Sequence, residues 1–353
     1  SCSLVGSEMC IRDRLIYTPA FYPHIGGLEA FNRMLAEEFT KYGFKVVVIT
    51  PMQNPTGDDS IFPFTVVRDT SFKTIWKYYK WCDLFIHSVL SLKAVWPLFL
   101  FPKKWISIHH TCYFHLWDRK ATLTSKLKWL FSNFSENVTV SNAVGQNLGL
   151  HKYTVIRNAY DNQLFRCINY DGREGFVFVG RLVSEKGVLL LLEAYNKYLE
   201  FSKRKWRLSI IGDGQDKEYL QDFIHRHNLV QYVSFVGSLT GEALVQELNK
   251  YHSMIIPSIY KEAFGIVALE GIACGCFCIG SDGDGIQEAM GGTGILFKKG
   301  SAADLTKKML WIENHPFAIK DNLNSINKHL ECHTKGYVAQ QYINYIERMI
   351  NAK

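Results

Sequence analysis

The feature that most constrains the fold is a repeated pairing of a short apolar run with a glycine or proline turn. Five such runs occur in the second half of the sequence, FVFVG, WRLSIIG, VSFVG, SMIIPS and CFCIGS, and a helix-length segment follows each. The first half opens similarly, with RLIYT as a strand, LEAFNRMLAEEFTKY as an amphipathic helix and FKVVVIT as a second strand. Apolar strands that alternate with helices are typical of parallel sheets covered on both faces. The sequence therefore predicts an α/β protein with two Rossmann-like parallel-sheet domains.

The domain boundaries are predicted from the polar stretch RCINYDGREG, which separates the two sets of strands. We expect an N-terminal domain over residues 14–168 and a C-terminal domain over 169–335. Residues 336–353 are predicted to form a helix that returns to the N-terminal domain. Residues 1–13 lack an initiating methionine and the apolar centre of a signal peptide, so we expect a leader that is non-native or unstructured.

Cysteine spacing and hydropathy indicate the cellular compartment in which the chain folds. No apolar run reaches the roughly 18 residues that a membrane span needs. The nine cysteines are an odd number without the Cys-x-x-Cys spacing of zinc sites. Three of them, Cys274, Cys276 and Cys278, alternate as side chains of a buried strand do. These features predict free thiols in a reducing cytoplasm.

Positive charge is concentrated in the first half of the chain. Residues 1–170 contain 19 Lys and Arg against 12 Asp and Glu, whereas residues 171–353 contain 21 of each. Between residues 71 and 130, ten basic residues face only Asp83 and Asp118, and aromatic residues interleave with them in FKTIWKYYKW and KLKWLFSNF. This pattern fits a solvated surface over core aromatics, or helices that lie on anionic lipid or bind phosphorylated ligands. Nucleic acid is disfavoured, because no recognised nucleic-acid motif accompanies the basic residues.

Glycines follow several predicted strands at positions where parallel sheets bind ligands. None of them completes the Gly-x-Gly-x-x-Gly fingerprint, which argues against a dinucleotide oxidoreductase. These glycines, with one interposed aspartate, are Gly26, Gly27, Gly180, Gly212, Asp213 and Gly214.

Two cations flank a predicted strand-to-helix turn in GRLVSEKG. Arg181 and Lys186 stand where backbone amides and a helix dipole already favour an anion, so together they could neutralise a diphosphate. The alternative is a pair of solvated surface cations.

Two glutamates lie eight positions apart in KEAFGIVALEGIACG. If Glu262 and Glu270 shared one helix, the rise would separate them by about 12 Å, too far for an acid/base pair that acts on one bond. Such a spacing suits one long ligand held at two points.

The ordered segments FVGRLVSEKG, IIGDGQDKEYL, VSFVGSL, IIPSIYKEAFGIVALEGIACG and GIQE resemble the nucleotide-binding domain of the retaining glycosyltransferases of family 4. PHIGGLEAFNRMLAEEF and VIRNAYDNQLF resemble that family's N-terminal glycine loop and interdomain segment. The resemblance implies the GT-B fold, in which two Rossmann-like domains face a central cleft.

The resemblance also implies roles for individual residues. Glu262 would lie beside the donor sugar, Glu270 would accept hydrogen bonds from the ribose hydroxyls, and Arg181 with Lys186 would hold the diphosphate. Backbone groups and loops would complete the donor site; the remaining implied donor-binding residues are Gly26, Gly27, Gly180, Gly212, Asp213, Gly214, Phe264, Gly265, Ile266 and Val267.

A histidine completes the implied catalytic set. The segment WISIHH ends where the family often carries a histidine near the sugar. We choose His110 over His109, because a shift of one residue at a strand end reverses the side-chain direction. For either residue the alternative is a hydrogen-bonded core histidine.

The implied function is transfer of a hexose-type sugar, with retention, from a UDP- or GDP-linked donor to a hydroxyl of a glycan or lipid-linked acceptor. Cell-surface polysaccharide or lipopolysaccharide assembly at the inner face of the cytoplasmic membrane would suit such an acceptor. We expect no metal or other cofactor, and we interpret Asp282-x-Asp284 as a turn. The alternatives are a non-catalytic nucleotide-sugar-binding protein and another GT-B enzyme, such as a nucleotide-sugar epimerase or a sugar phosphorylase.

Overall fold

The structure, a computed structural model, describes residues 13–24, 26–111 and 122–351. Contacts divide the chain into two compact units. The first contains the described residues up to Ile156 together with those from Ala339 onward, and the second runs from Arg157 to Val338. Each unit is built around its own parallel sheet.

The sheet of the first unit contains seven strands within the described ranges, in the order β3-β2-β1-β4-β5-β6-β7, and all neighbours pair in parallel. The strands are β1 (Asp13–Tyr17), β2 (Lys45–Ile49), β3 (Thr65–Val67), β4 (Leu84–Ser88), β5 (Trp105–His109), β6 (Glu136–Thr139) and β7 (Thr154–Val155). The helices are α1 (Gly27–Lys41), α2 (Phe72–Trp81), α3 (Leu92–Val95), α4 (Pro97–Leu100), α5 (Leu123–Ser132) and α6 (Asn142–Leu148).

The second unit has a sheet of six parallel strands in the order β10-β9-β8-β11-β12-β13. The strands are β8 (Phe176–Val179), β9 (Leu208–Ile211), β10 (Val233–Gly237), β11 (Ser253–Ile256), β12 (Phe277–Ser281) and β13 (Ile295–Phe297). The helices are α7 (Val188–Phe201), α8 (Lys217–Arg226), α9 (Gly241–Leu248), α10 (Ile266–Ala273), α11 (Asp284–Met290), α12 (Ala302–Glu313) and α13 (Leu323–Glu331), with one-turn 3-10 segments at Ser184–Lys186 and Lys320–Asn322. The last helix, α14 (Lys335–Asn351), begins in this unit, but its residues from Ala339 onward belong to the first unit.

Both sheets reverse their strand order once, between β1 and β4 in the first unit and between β8 and β11 in the second. Open parallel sheets bind ligands outside the carboxyl ends of the strands at such a switch point, where successive loops diverge. The prediction of two parallel-sheet α/β domains is therefore confirmed, and each sheet presents one position suited to a ligand.

The division between the units falls about twelve residues before the predicted boundary at 168. Residues after Ile156 make their contacts inside the second unit: the Tyr160 N–H donates to the His333 carbonyl at 3.1 Å, and Asp161 pairs with Lys335 at 2.8 Å. At the other end, α14 begins at Lys335 but belongs to the first unit from Ala339 onward. The polar composition of the linker could not reveal these contacts, because they join segments far apart in sequence.

The alternation of Cys274, Cys276 and Cys278 predicted that all three lie on one buried strand, and this prediction is wrong. Cys278 lies in β12, but Cys274 is the C-terminal cap of α10. Gly275, with a φ of 80°, turns the chain between them, and the Cys276 N–H donates to the Gly271 carbonyl at 2.9 Å. All three thiols are buried and free.

A buried carboxylate stabilises the packing of α7 in the second unit. Glu313, at the end of α12, accepts hydrogen bonds from the hydroxyls of Tyr198 and Ser202 and from the backbone N–H groups of Lys203 and Arg204. Burial disfavours its charge, but these donors outweigh burial and hold the pKa of Glu313 below its ordinary value. The site therefore requires an ionised group that only accepts hydrogen bonds.

We predict that Glu313→Gln lowers the free energy of unfolding at neutral pH by about 2 kcal/mol, since the new amide nitrogen would face a donor. A urea titration measures this loss, and Glu193→Gln on the exposed side of α7 is the matched control. Because the folded pKa of Glu313 is depressed, its contribution is present at neutral pH and is lost as the pH falls through that pKa. The difference from wild type should therefore shrink in acid; equal losses in both variants would contradict this role.

Candidate functional site

Two loops meet at the switch point of the second sheet. The loop after β8 spans residues 180–187, and the loop after β11 spans residues 257–265. The N–H groups of Ile259 and Tyr260 donate to the carbonyl of Glu185 at 3.0 and 3.3 Å. Gly187 has a φ of 71°, and a Cβ there would lie 2.0 Å from the Pro257 carbonyl oxygen. The close approach of the two loops therefore depends on a glycine.

This approach brings a predicted cation and a predicted carboxylate together. Lys186 and Glu262 form an ion pair, and the Ser258 hydroxyl donates to the same carboxylate oxygen, Oε1, at 2.9 Å. The two charged side chains are 26% and 21% exposed, so both remain accessible to a ligand. Arg181, at the start of the first loop, is exposed to solvent.

The glycine loops after β8 and β9 also touch. Gly212 has a φ of 144°, and a Cβ there would lie 1.9 Å from the carbonyl oxygen of Gly180. Asp213 is exposed, and its carboxylate accepts a hydrogen bond from the Gly214 N–H at 2.9 Å. These residues therefore shape the backbone beside Arg181.

Helix α10 begins directly after the loop that follows β11. Gly265 caps the helix with a φ of 91°, and α10 begins at Ile266. The N–H groups of Ile266 and Val267 lie in the first turn, where an α-helix provides no internal acceptor and carries a partial positive charge. The side chain of Phe264 is buried, with its ring 5.9 Å from that of His333. Phe264 can therefore offer only its backbone to a ligand.

Glu262 and Glu270 do not share one helix, so the separation expected from helical rise does not apply. Glu262 precedes α10, whereas Glu270 lies within it and is partly buried. Burial, with a smaller effect from the charge of Asp161, raises the pKa of Glu270 to about 7. A ligand that donates hydroxyl hydrogen bonds to Glu270 would favour its ionised form.

In the first unit, His109 and His110 point to opposite faces of the sheet. His109 is fully buried, and its Nε2 lies 2.7 Å from Oδ1 of Asn137. His110 is partly exposed just beyond β5, with Nε2 3.3 Å from the Ser88 hydroxyl and its ring 4.4 Å from that of Phe31. Burial and, to a smaller extent, the neighbouring His109 together lower the pKa of His110 to about 3, so His110 is neutral near pH 7.

Gly26 and Gly27 lie in the same unit, at the junction between the loop after β1 and α1. Gly26 is the N-cap in extended conformation, which any residue can adopt, and Gly27 is the first residue of α1. A Cβ at Gly26 would lie 2.5 Å from a carboxylate oxygen of Glu29, which is the end of a flexible side chain. The backbone here does not itself require glycine at position 26.

The two aspartates of SDGDG are engaged within the second unit. Asp284 forms an ion pair with Lys299, and Asp282 accepts a hydrogen bond from the Lys299 N–H at 2.7 Å. Among the residues that the structure describes, no group of three or more His, Cys, Asp or Glu side chains is placed to hold a metal ion.

Sequence reasoning missed three residues of this site. Gly187 could have been recognised as the glycine that precedes the long apolar helix α7. Asp161 carries no local signal, because only the fold brings it near Glu270. Ser258 lies four residues before Glu262, but the segment between them is a loop, so no helical or strand periodicity reveals their contact.

Comparison with known proteins shows which protein family the second unit resembles. Residues 162–329 match the family described as glycosyl transferases group 1. The chain is 29% identical over 213 residues to glycogen synthase of Mycobacterium tuberculosis, a match that covers 57% of this chain and 51% of the relative. It is 24% identical over 306 residues to the phosphatidylinositol N-acetylglucosaminyltransferase gpi3 subunit of Schizosaccharomyces pombe, which covers 76% of this chain and 66% of that protein. The matches thus span about half to two thirds of these relatives.

A solved structure shows the same fold. The crystal structure of Anabaena HepE in complex with UDP superposes with a TM-score of 0.79 at 16% identity, covering 95% of this chain and 99% of that one. At this identity the likeness concerns the fold alone, which is that of the GT-B glycosyltransferases.

We predict that Gly187→Ala destabilises the chain by about 2 kcal/mol more than Gly172→Ala. The two glycines have nearly the same φ, 71° and 72°, but a Cβ at Gly172 meets no atom within 4 Å. Both variants bear the strain of left-handed backbone, so the difference isolates the contact with Pro257. Urea unfolding curves of both variants measure it, and equal losses would show that the two loops do not depend on this contact.

Proposed function

We propose that this chain transfers a hexose-type sugar from a UDP- or GDP-linked donor to a hydroxyl group, because residues 162–329 match the glycosyl transferases of group 1. The observation that carries the proposal is the convergence at the switch point of the second sheet. There, Lys186 pairs with Glu262 just ahead of the first turn of α10, and Arg181 is exposed at the start of the same loop as Lys186. A cationic loop and a helix N-terminus together form a site for a diphosphate.

The two glutamates grip opposite ends of the donor in this proposal. Glu270, inside α10, accepts hydrogen bonds from the ribose hydroxyls, and Glu262, ahead of the helix, contacts the sugar. The amides of Gly265, Ile266 and Val267 face the diphosphate between them. The ion pair with Lys186 fixes the Glu262 carboxylate before the donor arrives.

The proposed chemistry is stabilisation of the leaving group. When the bond between the anomeric carbon and the diphosphate oxygen breaks, negative charge accumulates on the departing diphosphate, and Arg181, Lys186 and the α10 amides stabilise it. Retention by double displacement would need a carboxylate nucleophile about 3 Å from that carbon. Glu262 is instead held by Lys186 and Ser258. We therefore favour front-face attack, in which the departing phosphate takes the acceptor's proton.

No metal ion has a step in this mechanism, because protein cations supply the positive charge. The aspartates that could attract a metal are engaged by Lys299. Activity should persist in EDTA, and a strict requirement for added Mg²⁺ or Mn²⁺ would refute these assignments.

The proposed acceptor is a glycan or a lipid-linked sugar at the cytoplasmic face of a membrane, as in cell-surface polysaccharide or lipopolysaccharide assembly. The matches to a glycogen synthase and to a phosphatidylinositol-modifying enzyme support these two acceptor classes. The described helices include none with the length and hydropathy of a membrane span.

A thermal-shift screen against UDP, GDP, ADP, CMP and their common sugar conjugates tests the donor site, since a ligand that binds only the folded chain raises its melting temperature. Release of free UDP or GDP that depends on added acceptor then distinguishes transfer from binding alone. A shift without turnover would favour a non-catalytic binding protein, and isomerised or phosphorolysed sugar would favour the other GT-B enzymes.

We predict that Arg181→Ala lowers kcat about a hundredfold with a smaller change in KM, because charge on the diphosphate grows in the transition state. Arg204→Ala is the matched control, since Arg204 is exposed in the same unit and only its backbone contacts Glu313. Nucleotide release from the donor identified by the screen measures both. A loss confined to KM would place Arg181 in ground-state binding instead.

The pKa of Glu270 predicts a pH dependence of donor binding. Ribose hydroxyls favour the ionised carboxylate, so affinity should rise as the pH increases through about 7 and should be about tenfold weaker near pH 5.5 than near pH 8. Calorimetry with an intact nucleotide sugar suits this test, because the diester diphosphate of such a donor does not titrate in that range. Glu270→Gln should bind weakly with a flat profile; a flat profile in the wild type would contradict the assignment.

A further inference from the structure

One outer surface of the first unit is both apolar and basic. We call it the α2–α5 face. Several large apolar side chains on this face are mostly exposed to solvent: Phe72 is 72% exposed, Leu123 74% and Phe134 71%. Phe99, Leu100 and Phe101, at the end of α4, are each at least 60% exposed. Exposed apolar groups in such numbers mark a binding surface when they are contiguous.

Ring contacts show that the α2 and α4 parts of the face are continuous. The ring of Phe72 lies 5.5 Å from that of Trp96, and Trp96 stacks on Trp76 at 5.5 Å. Trp76 in turn lies 5.5 Å from Phe101. At the far side, Phe99 contacts Phe131 of α5 at 5.3 Å, so the aromatic surface extends from α2 to α5.

Helix α5 presents two leucines and a lysine to solvent. Leu123, Lys126 and Leu130 recur at intervals of three and four residues, which places them on one side of the helix, and Phe134 follows just beyond its end. All four are exposed, whereas the buried residue of α5 is the polar Ser132. The exposed side of α5 therefore combines two leucines with a lysine, which suits a surface that is both apolar and positively charged.

Lysines surround these apolar side chains. Lys73, Lys77 and Lys80 are exposed on α2, and Lys80 Nζ lies 5.5 Å from the Trp76 ring. Lys103 differs, because its ammonium group donates to carbonyls at the end of α2 and so supports the fold. Among the described residues from 70 to 135, Asp83 is the one acidic side chain. The face is therefore apolar with a positive border.

We propose that the α2–α5 face docks on a bilayer that contains anionic phospholipid. Leucine and aromatic side chains would enter the boundary between headgroups and acyl chains, and the lysines would meet the lipid phosphates. A second copy of this chain fits less well, since its lysines would face those of the first. The inference rests on the surface of the first unit alone and holds whether or not the proposed sugar transfer is correct.

The strength of the electrostatic part can be estimated. Each lysine near an anionic surface strengthens binding about fivefold, so three lysines contribute roughly a hundredfold. This part should weaken at high salt, because exposed charges are screened. The apolar part should persist, so both parts can be measured separately.

Vesicle flotation with the full chain tests the proposal. Vesicles of phosphatidylcholine alone are compared with vesicles that also contain phosphatidylglycerol, at low and at high sodium chloride. We expect strong binding to the anionic vesicles at low salt, weaker binding at high salt and little binding to neutral vesicles. Absence of any preference for the anionic vesicles would overturn the proposal.

Two sets of substitutions then locate the contact. The charge variant, Lys73→Gln with Lys77→Gln and Lys80→Gln, should lose about a hundredfold in affinity at low salt. The apolar variant, Leu123→Ser with Phe99→Ser and Phe134→Ser, should lose the binding that remains at high salt. All six side chains are exposed, and an unchanged melting temperature would verify that each variant folds.

Matched controls come from exposed residues of the second unit. Lys197→Gln with Lys203→Gln and Lys307→Gln matches the charge variant. Phe201→Ser with Phe317→Ser and Val230→Ser matches the apolar variant. These controls should bind vesicles as the wild type does. Equal losses in variants and controls would overturn the proposal, as would a wild-type dimer that the apolar variant abolishes, since the face would then join two copies. If the surface variants still show the nucleotide-induced thermal shift, their loss of vesicle binding is independent of the donor site.

Discussion

The close contact between the loops after β8 and β11 is the constraint on which the candidate site depends. The two strands are parallel neighbours, so their carboxyl ends open side by side, and Gly187 lets the first loop pack against the Pro257 carbonyl. The Glu185 carbonyl then accepts two N–H groups from the second loop. Because of this contact, Lys186 reaches Glu262 and the first turn of α10 opens beside a cationic loop. A bulkier residue at position 187 would separate these groups.

Three glutamates of the second unit show how environment assigns different roles to one side-chain type. Glu313 is surrounded by hydrogen-bond donors, and the charged form that they stabilise ties α12 to the end of α7. Glu262 is held by one ammonium group and one hydroxyl, yet remains accessible. Glu270 is partly buried near the carboxylate of Asp161, and its pKa rises to about 7. Of the three, Glu262 and Glu270 lie where a ligand could donate hydrogen bonds to their carboxylates.

The structure divides the basic residues of the first half into two groups. Some of its lysines serve the fold: Lys103 caps the end of α2, and Lys104 donates to carbonyls near the end of α14. The exposed lysines of α2 instead border a continuous aromatic surface. The same residue type thus contributes to stability at one position and to a proposed bilayer contact at another. Charge counts alone cannot separate these two groups.

The sequence by itself determined the parallel-sheet domains, the positions of β1, β2 and β8 to β12, and most residues at the switch point of the second sheet, because apolar periodicity and glycine turns are local signals. It also favoured His110 over His109 by strand alternation, and the fold points these side chains to opposite faces. It mistook Cys274 for a strand residue, since Gly275 turns the chain there through left-handed backbone. Only the tertiary structure decided the partners of Lys186, the elevated pKa of Glu270 and the exposure of Leu123 and Leu130 on α5. These properties arise from contacts and burial between segments distant in sequence, for which no local pattern exists.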